Sequence, residues 1–209
     1  ISKSGTQPII GTQINLIEGD IIGKVSLFAA SEKGYKNLTK LSSLSYLKKK
    51  DTYDPCCSTE DLILNSEDII MLTGNYRNFF GKLFYANKKK NIENIINKIK
   101  TTFKNRLYLE IQRHGENNEK NYEHYLLNLS SSHDLPLIAT QEVYYINPNM
   151  AEAHDALICI GEKQFIDDQN RFRYSKNHYL KNTDDLKELY KDIPEALENN
   201  YNFPLRFNF

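Results

Sequence analysis

Leu135 to Gly161, LPLIATQEVYYINPNMAEAHDALICIG, constrains the fold of this chain more than any other stretch. Pro136 to Ala139 is short and nearly all apolar and is followed by polar residues, the pattern of a strand covered on both faces of a parallel sheet. Pro148 and Asn149 then supply a helix start, and Met150, Ala153, Leu157 and Ile160 recur at three- and four-residue steps, so a helix is predicted next. In strand–loop–helix units of α/β proteins, chemistry sits on the loop at the strand's carboxyl end, here opening with Gln141, Glu142, Val143 and Tyr144.

The rest of the chain repeats this alternation. Pro8 to Leu16 reads as a strand that Gly19 and Asp20 turn toward a neighbouring strand at Lys24 to Ala30. Ser31 opens a helix with the apolar stripe Tyr35, Leu38, Leu41, Leu44 and Leu47, ending at Lys48-Lys49-Lys50, where positive charge suits the dipole. Asp51 to Cys57 reads as a polar loop, and Ser58 with Asp61 forms a capping-box pattern before a short helix. A buried strand is predicted at Asp68 to Thr73, ending in Gly74-Asn75, followed by a short helix around Phe79, Phe80, Leu83 and Phe84. Ile92, Ile95, Ile96, Ile99 and Phe103 trace an amphipathic helix whose stripe is core packing. Lys88-Lys89-Lys90 precedes it, an unfavourable place for positive charge, which makes this cluster a phosphate candidate beside the ordinary solvated reading. Leu107 to Gln112 is another strand, and Tyr122, Tyr125, Leu126 and Leu129 mark the next helix. Strands alternating with helices over this length argue for a parallel α/β sheet. Beyond Gly161 come a charged loop at Asp167 to Tyr174, a helix capped by Thr183 through Leu186 and Leu189, and a last helix at Glu195 to Asn200 with Pro194 in its first turn.

Composition excludes several classes. Lys plus Arg and Asp plus Glu number 27 each among 209 residues, so no global basic field draws the chain onto nucleic acid. With 40% hydrophobic residues the chain can bury a sizeable core as one large domain or one domain plus an appendage. Cys56, Cys57 and Cys159 are few and odd in number, which fits a reducing cytoplasm, and Cys56-Cys57 lacks the CxxC partner or nearby His of a metal site. The sequence has neither an apolar run of membrane-spanning length nor a charged-then-apolar leader.

LPLIATQEVYYI followed by AEAHDALICIG closely resembles the end of the PHP (polymerase and histidinol phosphatase) domain of bacterial DNA polymerase III alpha subunits, which typically carries LP-x-VATND-x-HY and then AHDALLCI. QPIIGTQINL at Gln7 to Leu16, VSLFAASEKGYKNLTKLSS at Val25 to Ser43, LYLEIQRHG at Leu107 to Gly115 and DIPEALENN at Asp192 to Asn200 agree in order and spacing. The resemblance implies a distorted (β/α)7 TIM-like barrel of PHP type, with residues 1–166 as a partial barrel and 167–209 as a C-terminal loop and helices leading toward a polymerase core. The family's two leading motifs, an HxH and a later Asp-bearing one, would lie before Ile1. The expectation is therefore a barrel incomplete at its amino terminus.

The resemblance also implies a site. Family members with an intact centre hold up to three metal ions (zinc, manganese or magnesium) at the strands' carboxyl ends, where a metal-bound water attacks phosphate esters. In this chain the position of the family's metal-binding Glu is Gln13, that of a His is Lys24, that of a Cys is Asn75, and the family's Asp-x-His becomes Glu142-Val143-Tyr144. An ammonium has no lone pair to give a metal, and amides and a phenol are poor ligands beside carboxylate and imidazole. Glu142 is still able to ligate, and His114, after the LEIQR strand, is a weak further candidate against a reading as surface or supporting histidine. His154 reads as a helix-face residue hydrogen-bonded to a neighbouring loop, and His124, His133 and His178 have no companions at ligand spacing.

The expected function is thus a PHP domain of the replicative polymerase in bacterial cytoplasm, with a degenerate metal site, no catalytic residue, no cofactor of its own unless the ligands upstream are intact, and no membrane. Its role would be to brace the remainder of the alpha subunit, to offer a surface to the proofreading exonuclease subunit, and to meet DNA only through the holoenzyme. Lys24 is expected to replace the lost metal charge by pairing with Glu142, with Gln13, Asn75 and Tyr144 completing a hydrogen-bonded plug. The alternative is an active metal-dependent phosphoesterase, of proofreading or pyrophosphatase type.

Overall fold

The structure is a computed structural model that describes residues 5–48 and 54–208. Lys49, Lys50 and residues 51–53, the end of the lysine run and the start of the predicted loop, lie outside the described residues. Strands β1 (Ile10–Glu18), β2 (Ile21–Ala29), β3 (Ile69–Leu72), β4 (Leu107–Ile111) and β5 (Leu137–Ala139) form one sheet in that order. Helices α1 (Glu32–Leu47), α2 (Thr59–Leu64), α3 (Phe79–Tyr85), α4 (Lys89–Phe103) and α5 (Glu119–His133) connect them, and α6 (Ala151–Glu162), α7 (Thr183–Leu189) and α8 (Pro194–Asn202) follow β5.

The sheet is mixed and open: strands alternate with helices as expected, and its parallel part is confined to β3, β4 and β5. The Gly19-Asp20 turn joins β1 to β2 antiparallel, in the register Gln13 to Ser26 and Asn15 to Lys24. β3 is also antiparallel to β2, because the chain leaves and re-enters the sheet at the same end, where the Ala30 N–H donates to the Asp68 carbonyl at 2.8 Å and Ser31 donates to the Asp68 carboxylate at 2.7 Å. A side chain on Gly34 would strike that same carbonyl, so α1 lies close over the junction. Only β3, β4 and β5 run parallel, each preceded by a helical crossover.

Strand alternation divides the core. Leu107, Leu109 and Ile111 of β4 face the helices together with Ile69, Met71, Leu137, Ala139 and the buried stripe of α4, Ile92, Ile95, Ile96, Ile99 and Phe103. The opposite face holds a smaller cluster, Ile70, Leu72, Tyr108 and Ile138, covered by Phe203 and Phe207 from the end of the chain. Phe28 packs edge-on against both phenylalanines. The stripe of α1 is narrower than predicted: Leu38 and Leu41 are buried, whereas Tyr35 and Leu47 are exposed. The Ser58–Asp61 capping box forms as predicted, and Asn182, one residue before the predicted Thr183, caps α7 by accepting from the Asp185 N–H. The helix predicted after Pro148 forms as α6, but Met150, Leu157 and Ile160 face outward and Cys159 is its buried residue.

Both outer edges of the sheet are hydrogen-bonded over part of their length. Cys57 exchanges backbone bonds with Asn15 and Ile17 on β1. On β5, Leu109 N–H donates to the Pro136 carbonyl on the inner side, and the outward carbonyls of Leu137 and Ala139 accept from the side-chain amides of Asn199 (2.8 Å) and Asn200 (2.7 Å) on α8. DIPEALENN therefore seals an edge: Pro194 starts the helix and its two asparagines stand in for a missing strand. Replacing both (N199A/N200A) orphans two carbonyls of a buried strand and is expected to lower stability by about 1–3 kcal/mol in urea unfolding; an unchanged midpoint would show that the amides do not hold this edge.

Candidate functional site

The carboxyl ends of β3, β4 and β5 converge on a buried polar network. Asn75 donates to Gln112 Oε1 (2.9 Å), Gln112 donates to Glu110 Oε1 (2.9 Å) and to Thr140 (3.0 Å), and Thr140 donates to Glu110 Oε1 (2.5 Å). Burial pushes the Glu110 carboxyl up, and nearby Glu142 adds to the shift. Glu110 Oε2 and Glu142 Oε2 are both buried without a hydrogen-bond partner. A cavity of about 10 Å³ adjoins Glu110, lined also by Asn75, Tyr76 and Tyr122.

Above this network lies a stack of rings. His114 and His178 are both buried and stack with centroids 4.0 Å apart and planes within 3°. His178 contacts Tyr144 (5.3 Å), which stacks on His154 (5.0 Å) and leans on Tyr174 (4.6 Å). Arg77 closes the pile, with its guanidinium over Tyr174 (4.8 Å), Phe172 (5.0 Å) and Tyr76 (5.2 Å). Burial, the hydrogen bond to Tyr174 and the nearby Glu142 hold the Tyr144 phenol well above its usual range.

The loop after β4 supplies the anchor. The Glu119 carboxylate accepts from the backbone N–H groups of His114, Gly115 and Glu116, with Gly115 in the left-handed region, and so fixes that loop. Glu116 then accepts from Arg77, from the Tyr76 hydroxyl and from His178 Nε2 (3.2 Å). Burial by itself would raise the Glu116 carboxyl, yet the donors His178, Tyr76 and Arg77 hold it down at about 2.

The donor set does not fit a metal centre. His114 Nε2 accepts from the Glu142 N–H (3.2 Å) while its Nδ1 donates to Glu119 (3.2 Å). His178 donates from Nδ1 to the Glu142 carbonyl (2.9 Å) and aims Nε2 at Glu116. The His114 Nε2 lone pair is taken up by the Glu142 N–H, and His178 Nε2 faces the Glu116 carboxylate that Arg77 and Tyr76 also occupy. Gln13 and Lys24 are exposed on β1 and β2, with Gln13 donating to Ser26 (3.4 Å), and Asn75 is bound to Gln112 and the Arg77 N–H. Among the described residues no three His, Cys, Asp or Glu come together in a metal-holding group.

The structure therefore brings Asn75, His114, Glu142 and Tyr144 to one site and leaves Gln13 and Lys24 outside it. Among the described residues no ion pair joins Lys24 to Glu142; the basic group that the Glu142 carboxylate meets is His178, 4.0 Å away. The expected Lys24–Glu142 pair is not formed, because Lys24 sits on the β1–β2 hairpin while the basic groups of this pocket arrive from the loop after β3 and from residue 178. Arg77, Glu116 and His178 are the residues that sequence reasoning missed. Their partners lie 39 to 62 positions away, beyond any local pattern. Glu110 had a signal, being a carboxylate of opposite parity to the buried leucines of LYLEI. Lys88 pairs with Asp20 and Lys89 lies over Phe84, so those two lysines have partners on this chain.

Sequence comparison with known proteins shows the family. The sequence profile of the PHP domain matches residues 1–114. The chain belongs to the PHP domain family. Over 98–99% of its length it is 33% identical to DNA polymerase III subunit alpha of Caulobacter vibrioides and 34% identical to that of Vibrio cholerae, and over 94% it is 36% identical to that of Borreliella burgdorferi. It spans 18–19% of the length of these relatives. This PHP domain thus places an arginine–glutamate pair and a histidine stack beside the carboxyl ends of β3, β4 and β5.

Acid stability follows from that pair. Glu116 titrates near its ordinary 4.5 when unfolded and at about 2 when folded, so its contribution is complete above pH ~5 and is lost as pH falls toward 2. That contribution is at most about 3 kcal/mol. Glu116→Gln is expected to lower stability at pH 7 by about 2–3 kcal/mol and to flatten the pH dependence between 5 and 2 in chemical denaturation; a parent and variant with parallel profiles would contradict the assignment.

Proposed function

We propose that this chain is the PHP portion of a bacterial replicative DNA polymerase III alpha subunit, acting in DNA replication in the cytoplasm as a scaffold with a closed, non-hydrolytic pocket. The observation that carries the reading is the Arg77–Glu116–His178 cluster. It puts a guanidinium and two stacked imidazoles, each hydrogen-bonded to the backbone of Glu142, against the ends of β3 and β4. A fixed internal cation takes the electrostatic place of bound ions, and the aromatic pile above it excludes water. Residues 1–166 then form the PHP portion and 167–209 the segment leading toward the polymerase core. That later segment also contributes His178 to the pocket and buries Tyr190, whose hydroxyl donates to the carbonyls of Ile111 and Thr140. The role that follows is mechanical: to brace the polymerase part and to offer surface to a proofreading exonuclease subunit.

One observation favours a second reading, a metal-dependent phosphoesterase. Glu110 and Glu142 each keep a buried carboxylate oxygen free of hydrogen bonds. Ligands from outside this chain would have to complete such a centre, and His114 and His178 would have to give up their present bonds.

Elemental analysis of the purified protein after exposure to zinc and manganese separates the two. The scaffold reading expects substoichiometric metal, no hydrolysis of a model phosphodiester, and no change in thermal unfolding on adding a chelator. Stoichiometric metal that is lost in Glu142→Ala, together with hydrolysis, would establish the second reading instead.

A further inference from the structure

We infer that the outward face of α6 and its two flanks is the surface on which the polymerase portion of the same polypeptide packs; this rests on the function proposed above and adds where the contact is. The helix AEAHDALICIGE is largely apolar, yet Cys159 is its buried residue. Leu157 is 64% exposed and Ile160 76%, and the apolar character continues on both sides, through Ile146 and Met150 before the helix and Phe165 and Ile166 after it. Together these six side chains expose on the order of 700 Å², close to one side of a standard protein interface.

The other helices show what the same pattern does when a neighbour is present. The isoleucine stripe of α4, spaced in the same three- and four-residue steps, is wholly buried. α6 carries an equivalent stripe on an element that the fold holds from behind: Asp155 pairs with Arg171, and His154 stacks on Tyr144. The helix is therefore fixed in place with its apolar side presented outward, the arrangement of a docking ridge.

Two observations select the occupant. The relatives carry this chain as less than a fifth of a much longer polypeptide, so a large covalently attached body is at hand at high effective concentration. The rim is mainly acidic, with Glu152, Glu162 and Asp167 exposed around the ridge against Lys163. The matching surface is accordingly apolar at its centre and basic at its edge.

Hydrogen–deuterium exchange of residues 151–166 tests this, measured in the complete polypeptide that carries the chain and in the 209-residue chain alone. At least tenfold slower exchange in the complete polypeptide is expected. The double substitution Leu157→Glu/Ile160→Glu should abolish that slowing while leaving the circular dichroism and urea midpoint of the chain alone unchanged, since both residues are already exposed there. Equal exchange in the two forms would overturn the inference. So would self-association of the chain alone that the double substitution abolishes, which would make a second copy the occupant. A complete polypeptide without polymerase activity would refute the functional proposal itself, whereas an active polymerase with an unprotected α6 would refute only the docking face.

Discussion

The Glu116 carboxylate joins three parts of the chain that no local pattern brings together. It receives the guanidinium of Arg77 and the hydroxyl of Tyr76 from the loop after β3, and the imidazole of His178 from the segment after α6. Its own loop is fixed by Glu119, which gathers the backbone N–H groups of residues 114–116 at the start of α5. A charge as enclosed as this one is tolerable only when its partners are complete, since removing any one of them leaves the others paying desolvation without compensation. The ring stack depends on the same point, because His178 is held flat against His114 only while each of its nitrogens faces an oxygen.

From this anchor the chemistry of the pocket follows. Divalent ions at the mouth of an α/β sheet need carboxylates and imidazoles whose lone pairs point inward. Here the imidazoles point into the protein's own hydrogen bonds, a guanidinium lies beside them, and Gln13 and Lys24 face solvent on a separate hairpin. Glu110 is the counterweight. Its raised carboxyl is held by Thr140 and Gln112 through one oxygen, with the other left without a partner. A neutral carboxyl is the inexpensive form of such a group in a dry site.

Much of the fold was legible in the sequence because its signals are local. The β1–β2 hairpin follows from a two-residue Gly19-Asp20 turn, α4 from an isoleucine stripe, α2 from the Ser58–Asp61 box, and α8 from Pro194. Strand direction was less legible. Alternation of strands and helices suggested a parallel sheet, but β2 and β3 are antiparallel because the chain leaves and re-enters the sheet at the same end, where Ala30 meets Asp68. Periodicity marks a stripe on α6 and does not say what lies across from it, so residues spaced for burial end up facing out. Gln13, Lys24, Asn75, Glu142 and Tyr144 were legible one by one as candidate positions, yet which of them share a pocket was not. Lys24 was the obvious replacement cation by sequence, whereas the guanidinium that lies in the pocket comes from Arg77, a residue without a motif.

Crystals of the domain soaked in manganese or zinc, with data collected at the metal's absorption edge, test the closed pocket most directly. The closed-pocket account expects no anomalous peak near Glu110 and Glu142, with Arg77 still on Glu116 and His178 still stacked on His114. An anomalous peak bridging Glu110 and Glu142, with Arg77 swung away and an imidazole nitrogen turned toward the ion, would contradict it.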